Sequence, residues 1–327
     1  MSQTLAILGD TYRGLKARKM FWIVLGISSL VVASFGCLGI NDKGLKLLVW
    51  DMGFGPSTRD LSAEMFYKSL FVGLGINIWL SSLATILALI STAGTFPAFL
   101  ARGAIDLVVS RPISRLRLFL TQYAAGLLFV SLQITIFSGA SFLVMGLRGG
   151  AWEPGIFLAV PLVVCFFSYL FSVCTLLGLL TRSTVAALLL TLLFWLLLAG
   201  LHAADTGLLL AQQAQPVAKE QIDGQHETED ETLRNLAAAH RIVYGVKSFL
   251  PKTAETIDLL ERTLIRTAEL PRPQGGRQTG TPGLDRAAQQ VVYRMRARSA
   301  GRIIGTSLAF EAAILGLGAW IFSRKDL

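Results

Sequence analysis

The sequence predicts an all-α polytopic membrane protein with about six transmembrane helices and an enlarged, mostly helical loop between the fifth and sixth. Three observations carry this. The 327 residues are 53% hydrophobic and only 16% charged, against about 25% charged in an ordinary soluble domain. The mean hydropathy is +0.57. The charge is also concentrated: residues 205–300 hold 25 of the 51 charged side chains, 12 acidic and 13 basic. That block has the charge density of a soluble segment, and the remainder has that of a membrane domain.

Uncharged runs supply the spans. Lys19 to Asp42 encloses 22 uncharged residues, Lys68 to Arg102 encloses 33, and Arg117 to Arg148 encloses 30. Glu153 to Arg182 encloses 28, Arg182 to Asp205 encloses 22, and Arg302 to Arg324 encloses 21, broken by Glu311. A helix rises about 1.5 Å per residue and the hydrocarbon core is about 30 Å thick, so roughly 20 apolar residues suffice to cross. The first run is too long for a cleaved leader, and no small-x-small cleavage site follows it.

This divides the chain into 1–204, a surface helix and five spans; 205–300, a polar, mostly helical extracytoplasmic segment; and 301–327, the sixth span and a cytoplasmic tail. Residues 3–19 form an amphipathic surface helix, with Leu5, Leu8, Tyr12 and Leu15 on one side, or a basic stretch that only sets topology. In the loop from Asn41 to Tyr67, a short helix follows a cap at Ser57-Thr58. Within the polar block, Gln212–Gln225 reads as a loop and Glu229–Phe249 as a helix stopped by Pro251. Thr253–Glu269 is a second helix, with Ile257, Leu260 and Leu264 aligned. Pro271–Gly283 is a mobile connection, and Leu284–Arg298 a third helix.

The net charge is +9. The basic residues cluster at helix ends, which points to the bilayer surface and not to nucleic acid. With both termini inside, the inner segments hold 11 basic residues and the short outer loops hold five. The positive-inside rule then places both termini in the cytoplasm of a multi-pass cell-membrane protein, and an even number of spans agrees. Long loops cross regardless of charge, so 205–300 lies outside. The arginines at 294, 296, 298 and 302 stand against this orientation.

No nucleotide site is present: the chain contains no Gly-Lys dipeptide, which a phosphate-binding P-loop requires. No His-Glu-x-x-His pattern exists for zinc. Cys165 and Cys174 are nine residues apart on one helix, about 13 Å along its axis, which is too far for a disulfide. The reading is a non-enzyme with no catalytic residues, no metal and no cofactor of its own.

Glu311 is the one carboxylate inside a run, about 13 Å into its span. Such groups face a bundle interior or a wet cavity. Ser307, Leu315 and Gly318 share its side, and Gln133 and Asn77 are its candidate partners. Two roles remain open: a neutral acid hydrogen-bonded across helices, or a group lining a substrate path or subunit interface.

Between the second and third runs, residues 103–110 can form two helical turns, which Pro112 stops. A new helix starts near Ser114. The segment is either a surface helix that offers a knob to a cytoplasmic partner or a simple turn. Gly103-x-x-Asp106 followed by Ser110-Arg111-Pro112-Ile113-Ser114-Arg115 resembles the cytoplasmic coupling segment of ABC-2-type ABC transporter permeases. The ending Phe322-Ser323-Arg324-Lys325-Asp326-Leu327 and the N-terminal surface helix are similar to that family's as well. The block at 205–300 is longer than the family's short hairpins there.

The resemblance implies a permease, an exporter, that pairs with a second permease subunit as homo- or heterodimer. It implies separate ABC ATPase subunits, carrying ATP and magnesium, on the cytoplasmic side. Asp106, Arg111, Pro112, Ser114 and Arg115 match the coupling positions. Two rival readings are a stand-alone secondary transporter and a non-transporting membrane scaffold with 205–300 as its binding module. Secondary transporters show repeats or several buried charges, and this chain has no repeat.

Overall fold

A computed structural model describes residues 9, 13–14, 19–42, 44–48, 50–51, 53, 57–58, 61–99, 114–219, 227–267, 290 and 298–324. The expected surface helix 3–19, the connection 271–283 and the helix 284–298 lie almost wholly outside them.

The chain is a helical, multi-pass membrane protein. Among the described residues five helical segments are long and apolar enough to cross a bilayer: Ala63–Pro97, Arg115–Gly149, Pro154–Thr181, Thr184–Gln212 and Ala300–Arg324. The first helix, α1 (Lys19–Cys37), is apolar over the 17 residues Phe21–Cys37. Its 19 residues span about 28 Å, close to the thickness of the hydrocarbon core. Rows of large apolar side chains point outward, including Leu189, Leu193 and Leu196 on Thr184–Gln212 and Ile23 and Leu30 on α1. On a water-soluble protein such a surface would aggregate; against lipid it costs nothing.

Three short antiparallel strands follow α1: β1 (Leu38–Asn41), β2 (Gly44–Leu47) and β3 (Trp50–Asp51). Leu38 faces Leu47, Asn41 faces Gly44, and Lys46 faces Asp51. This small sheet is the exception to an otherwise helical chain. Gly44 sits at φ 117°, a conformation open to glycine, and it lets the hairpin close.

The next helix, α2, spans Ala63–Leu70 and is capped by Ser62, whose hydroxyl accepts the Met65 amide at 3.2 Å. The expected cap at Ser57-Thr58 is therefore displaced. Thr58 instead donates its hydroxyl to Asp42 beside the hairpin. The helix continues as a π-helix, Phe71–Leu83, then as α3 (Ala84–Thr92) and α4 (Thr95–Phe99). Buried pairs 71/72, 75/76 and 79/80 recur every four residues along it. A π-helix is rare, and most are single-turn bulges.

The long α5 (Arg115–Gly149) ends at Gly150 in the left-handed conformation, the usual helix stop. A 3-10 turn, Pro154–Leu158, leads into α6 (Ala159–Thr181), the most buried of the spans. Then come α7 (Thr184–Lys219), α8 (Glu227–Phe249), α9 (Thr253–Thr267) and α10 (Ala300–Arg324).

One correction falls on the polar block. Residues 212–219, read as loop, continue α7, which at 36 residues reaches about 54 Å. Alanines and glutamines there have good helix propensity, and polarity alone does not end a helix. The amphipathic α9 lies over the start of α6, with Leu260 and Leu264 fully buried. It thus belongs to the same core as the spans.

At the opposite end of the bundle, Phe96, Phe119 and Phe322 pack in a row, with ring centroids 5.1 and 5.9 Å apart. Pro97 lies on Gly178, where a methyl group would come within 3.3 Å of it. The ends of four helical segments meet there.

Candidate functional site

Glu311 lies on the buried side of α10 together with Ser307 and Gly318, as its helical spacing requires. Two helices supply its partners. Tyr123 of α5 places its hydroxyl 2.8 Å from Oε1, and Ser168 of α6 donates to Oε2 at 2.7 Å. Both partners are themselves fixed. The Tyr123 ring stacks on Phe171 at 5.1 Å, and Phe171 stacks on Phe167 at 5.3 Å. Gly126 makes room for this stack, because a Cβ there would fall 2.7 Å from the Phe171 ring.

The expected partners of Glu311 are not the observed ones. Gln133 is on α5 but ten residues beyond Tyr123, about 15 Å along the axis. Asn77 is exposed on the outer face of the π-helix. Sequence spacing located Glu311 but not its neighbours, since these depend on how α5 and α6 are rotated about their axes.

The hydrogen-bond inventory is informative. The Tyr123 hydroxyl also lies 2.9 Å from the Ser168 carbonyl, and the Ser168 hydroxyl 2.8 Å from the Cys165 carbonyl. Two hydroxyl protons thus face four acceptors. Each hydroxyl keeps a backbone acceptor even without the carboxyl.

Of the coupling positions, Asp106, Arg111 and Pro112 lie outside the described residues. Ser114 is exposed at the start of α5, in extended conformation, with no side-chain capping bond. Arg115 donates from Nη1 to the Ser323 carbonyl at 3.3 Å. This joins the start of α5 to the end of α10. Nearby, the Arg324 guanidinium lies 4.5 Å over the Trp320 ring, a cation–π contact.

A third polar site was not visible in the sequence. Asp205, fully buried on α7, binds Lys247 of α8 at 2.7 Å and stands 3.1 Å from His240 and 3.9 Å from Arg298. Lys247 also reaches Glu255 of α9 at 3.0 Å and His202 Nδ1 at 3.1 Å. Arg298 pairs with Glu255 and lies 5.3 Å over the Tyr244 ring. Burial holds the neighbouring Lys252 amine below its ordinary value. Glu255 counters this, while Arg302, Arg298 and Lys247 add to it. The only sequence signal was a lone Asp at the end of an apolar run, which read as a boundary.

Among the described residues no group of three His, Cys, Asp or Glu is placed to hold a metal ion, and Cys37, Cys165 and Cys174 are free. No family model matches the chain, and no curated protein matches it.

Proposed function

We propose that this chain is the permease subunit of an ATP-driven ABC transporter, an exporter of the ABC-2 type. It would cross the membrane six times, counting α1, with both termini in the cytoplasm. A second permease subunit would complete the path, and separate ATPases would dock at residues 102–115.

The observation that carries this reading is the Arg115–Ser323 hydrogen bond. The segment that resembles a coupling helix ends where α5 is tied to α10. A push on that segment would therefore reach two spans at once, and α10 carries Glu311 into the core. Of the three candidate path or interface residues, Glu311 and Gln133 are internal, so Asn77, exposed on the second span, is the one placed to meet a second subunit. A polar amide in hydrocarbon favours a partner that can hydrogen-bond it.

The test is purification of the tagged chain from its native membrane. A P-loop ATPase should co-purify, and transport should depend on it. Asp106→Ala should leave insertion intact while reducing the ATPase yield, because a charge-assisted hydrogen bond at the docking surface is worth about 1.5–3 kcal/mol. Arg115→Ala is a weaker test, since it also cuts the internal tie to Ser323. Wild-type ATPase yield and stimulated hydrolysis in Asp106→Ala would refute the coupling assignment. Complete absence of an ATPase would refute the transporter reading.

A further inference from the structure

A cavity distinct from the Glu311 site lies in the membrane core, between α1, the segment Ala63–Pro97, α5 and α6. Ser28, Trp79, Thr85, Gln133, Phe137 and Phe167 line it. The space open to the centres of water-sized molecules is about 20 Å³, enough for a water, which needs about 10–15 Å³.

Two of its wall residues are unpartnered donors. Trp79 is 3% exposed and Gln133 6% exposed, and neither Trp79 Nε1 nor Gln133 Nε2 has a hydrogen-bond partner among the described residues. Thr85 gives its hydroxyl proton to the Leu80 carbonyl at 3.0 Å, and its oxygen is not within hydrogen-bond reach of either donor. A buried N–H without an acceptor is costly anywhere, and no solvent inside a bilayer relieves it.

The backbone explains why Trp79 faces inward. The π-helix turns its four-residue repeat of buried positions through 71/72, 75/76 and 79/80, and closes with the Ala84 amide on the Trp79 carbonyl. π-turns recur at functional sites.

We propose that this pocket binds a neutral oxygen acceptor held between the Trp79 indole and the Gln133 amide. Two N–H donors call for an oxygen with two lone pairs. Apart from the Ser28 and Thr85 hydroxyls the rest of the wall is apolar, and no Lys, Arg or His lines it, so a carboxylate or phosphate would enter uncompensated. The acceptor is either water or the carbonyl or ether oxygen of an apolar molecule arriving from the bilayer. The site goes beyond the transporter reading and needs no ATPase, so the two can fail separately.

The experiment uses the full chain in lipid nanodiscs, with Trp22, Trp50, Trp152, Trp195 and Trp320 changed to Phe, so that Trp79 is the only 15N-labelled indole. Water in the site gives an NOE between the Trp79 indole proton and the water resonance. An oxygen-bearing molecule gives an NOE to added pentan-2-one that added pentane does not reproduce. Gln133→Met, which keeps the volume but removes the amide, should abolish whichever signal is present. Ala84→Leu, which fills the cavity from its rim, should abolish it as well and covers the case where Gln133→Met fails to fold. Absence of both NOEs, or their persistence in the folded variants, would overturn the proposal.

Discussion

Glu311, Tyr123 and Ser168 form a set in which no member depends on only one other. Tyr123 and Ser168 each retain a backbone carbonyl when the carboxyl is removed. The carboxyl accepts from both hydroxyls. The costs of substitution are therefore asymmetric. Tyr123→Phe leaves Oε1 without its donor in a dry site and should destabilise the protein by roughly 1–3 kcal/mol. Glu311→Leu orphans neither hydroxyl and should cost less. In the Glu311→Leu background, Tyr123→Phe should cost less than it does alone, a coupling that a double-mutant cycle of thermal or denaturant unfolding in detergent would read directly. Additive effects would show that the three groups are not a unit. If Glu311→Leu folds normally but transport is lost, the carboxyl serves the path and not the fold.

At the scale of elements, α7 and α9 decide how the polar block is attached. Asp205 is carried beyond the apolar run by an unbroken helix. It is met there by Lys247 of α8 and, through Lys247, by Glu255 of α9. Burying these charges is costly, and removing one partner costs more than the pair contributes: typically about 3–5 kcal/mol when a buried charge is left alone. In Asp205→Asn, Lys247 keeps Glu255, so the loss should fall below that range. It should appear locally, as faster amide exchange and faster limited proteolysis in Glu227–Phe249, with α5 and α6 unchanged. Uniform protection across all helices would show that the network does not hold α8 in place.

For the whole molecule, orientation is the main question. The start of α5, the α6–α7 turn and the end of α10 lie at one end of the bundle, with α9 and the hairpin at the other. The proposed orientation, drawn from the excess of basic residues, would put the first of these ends in the cytoplasm. In a cysteine-free background, a single cysteine at Gln225 or Gln278 should react with an impermeant thiol reagent in intact cells. Labelling only after permeabilisation would invert the proposed topology and overturn the proposed cytoplasmic docking role of Asp106 and Arg115.

Local patterns in the sequence determined what depends on a few neighbouring residues. Hydropathy marked the apolar spans, since insertion responds to about 20 residues at a time. The spacing of Ile257, Leu260 and Leu264 marked α9, and the 3.6-residue repeat put Ser307, Glu311 and Gly318 on one side of α10. Tertiary structure decided the rest. The partners of Glu311 are 143 and 188 residues away in sequence, and those of Asp205 come from α8 and the segment before α10. Pairing at such distances follows from helix rotation and crossing, which no local pattern encodes. The same holds for the π-helix that carries Trp79 onto the cavity wall it shares with Gln133, and for the choice of Ser62 over Ser57-Thr58 as a cap. In each case several local solutions are nearly equal in energy, and packing against the other spans selects one.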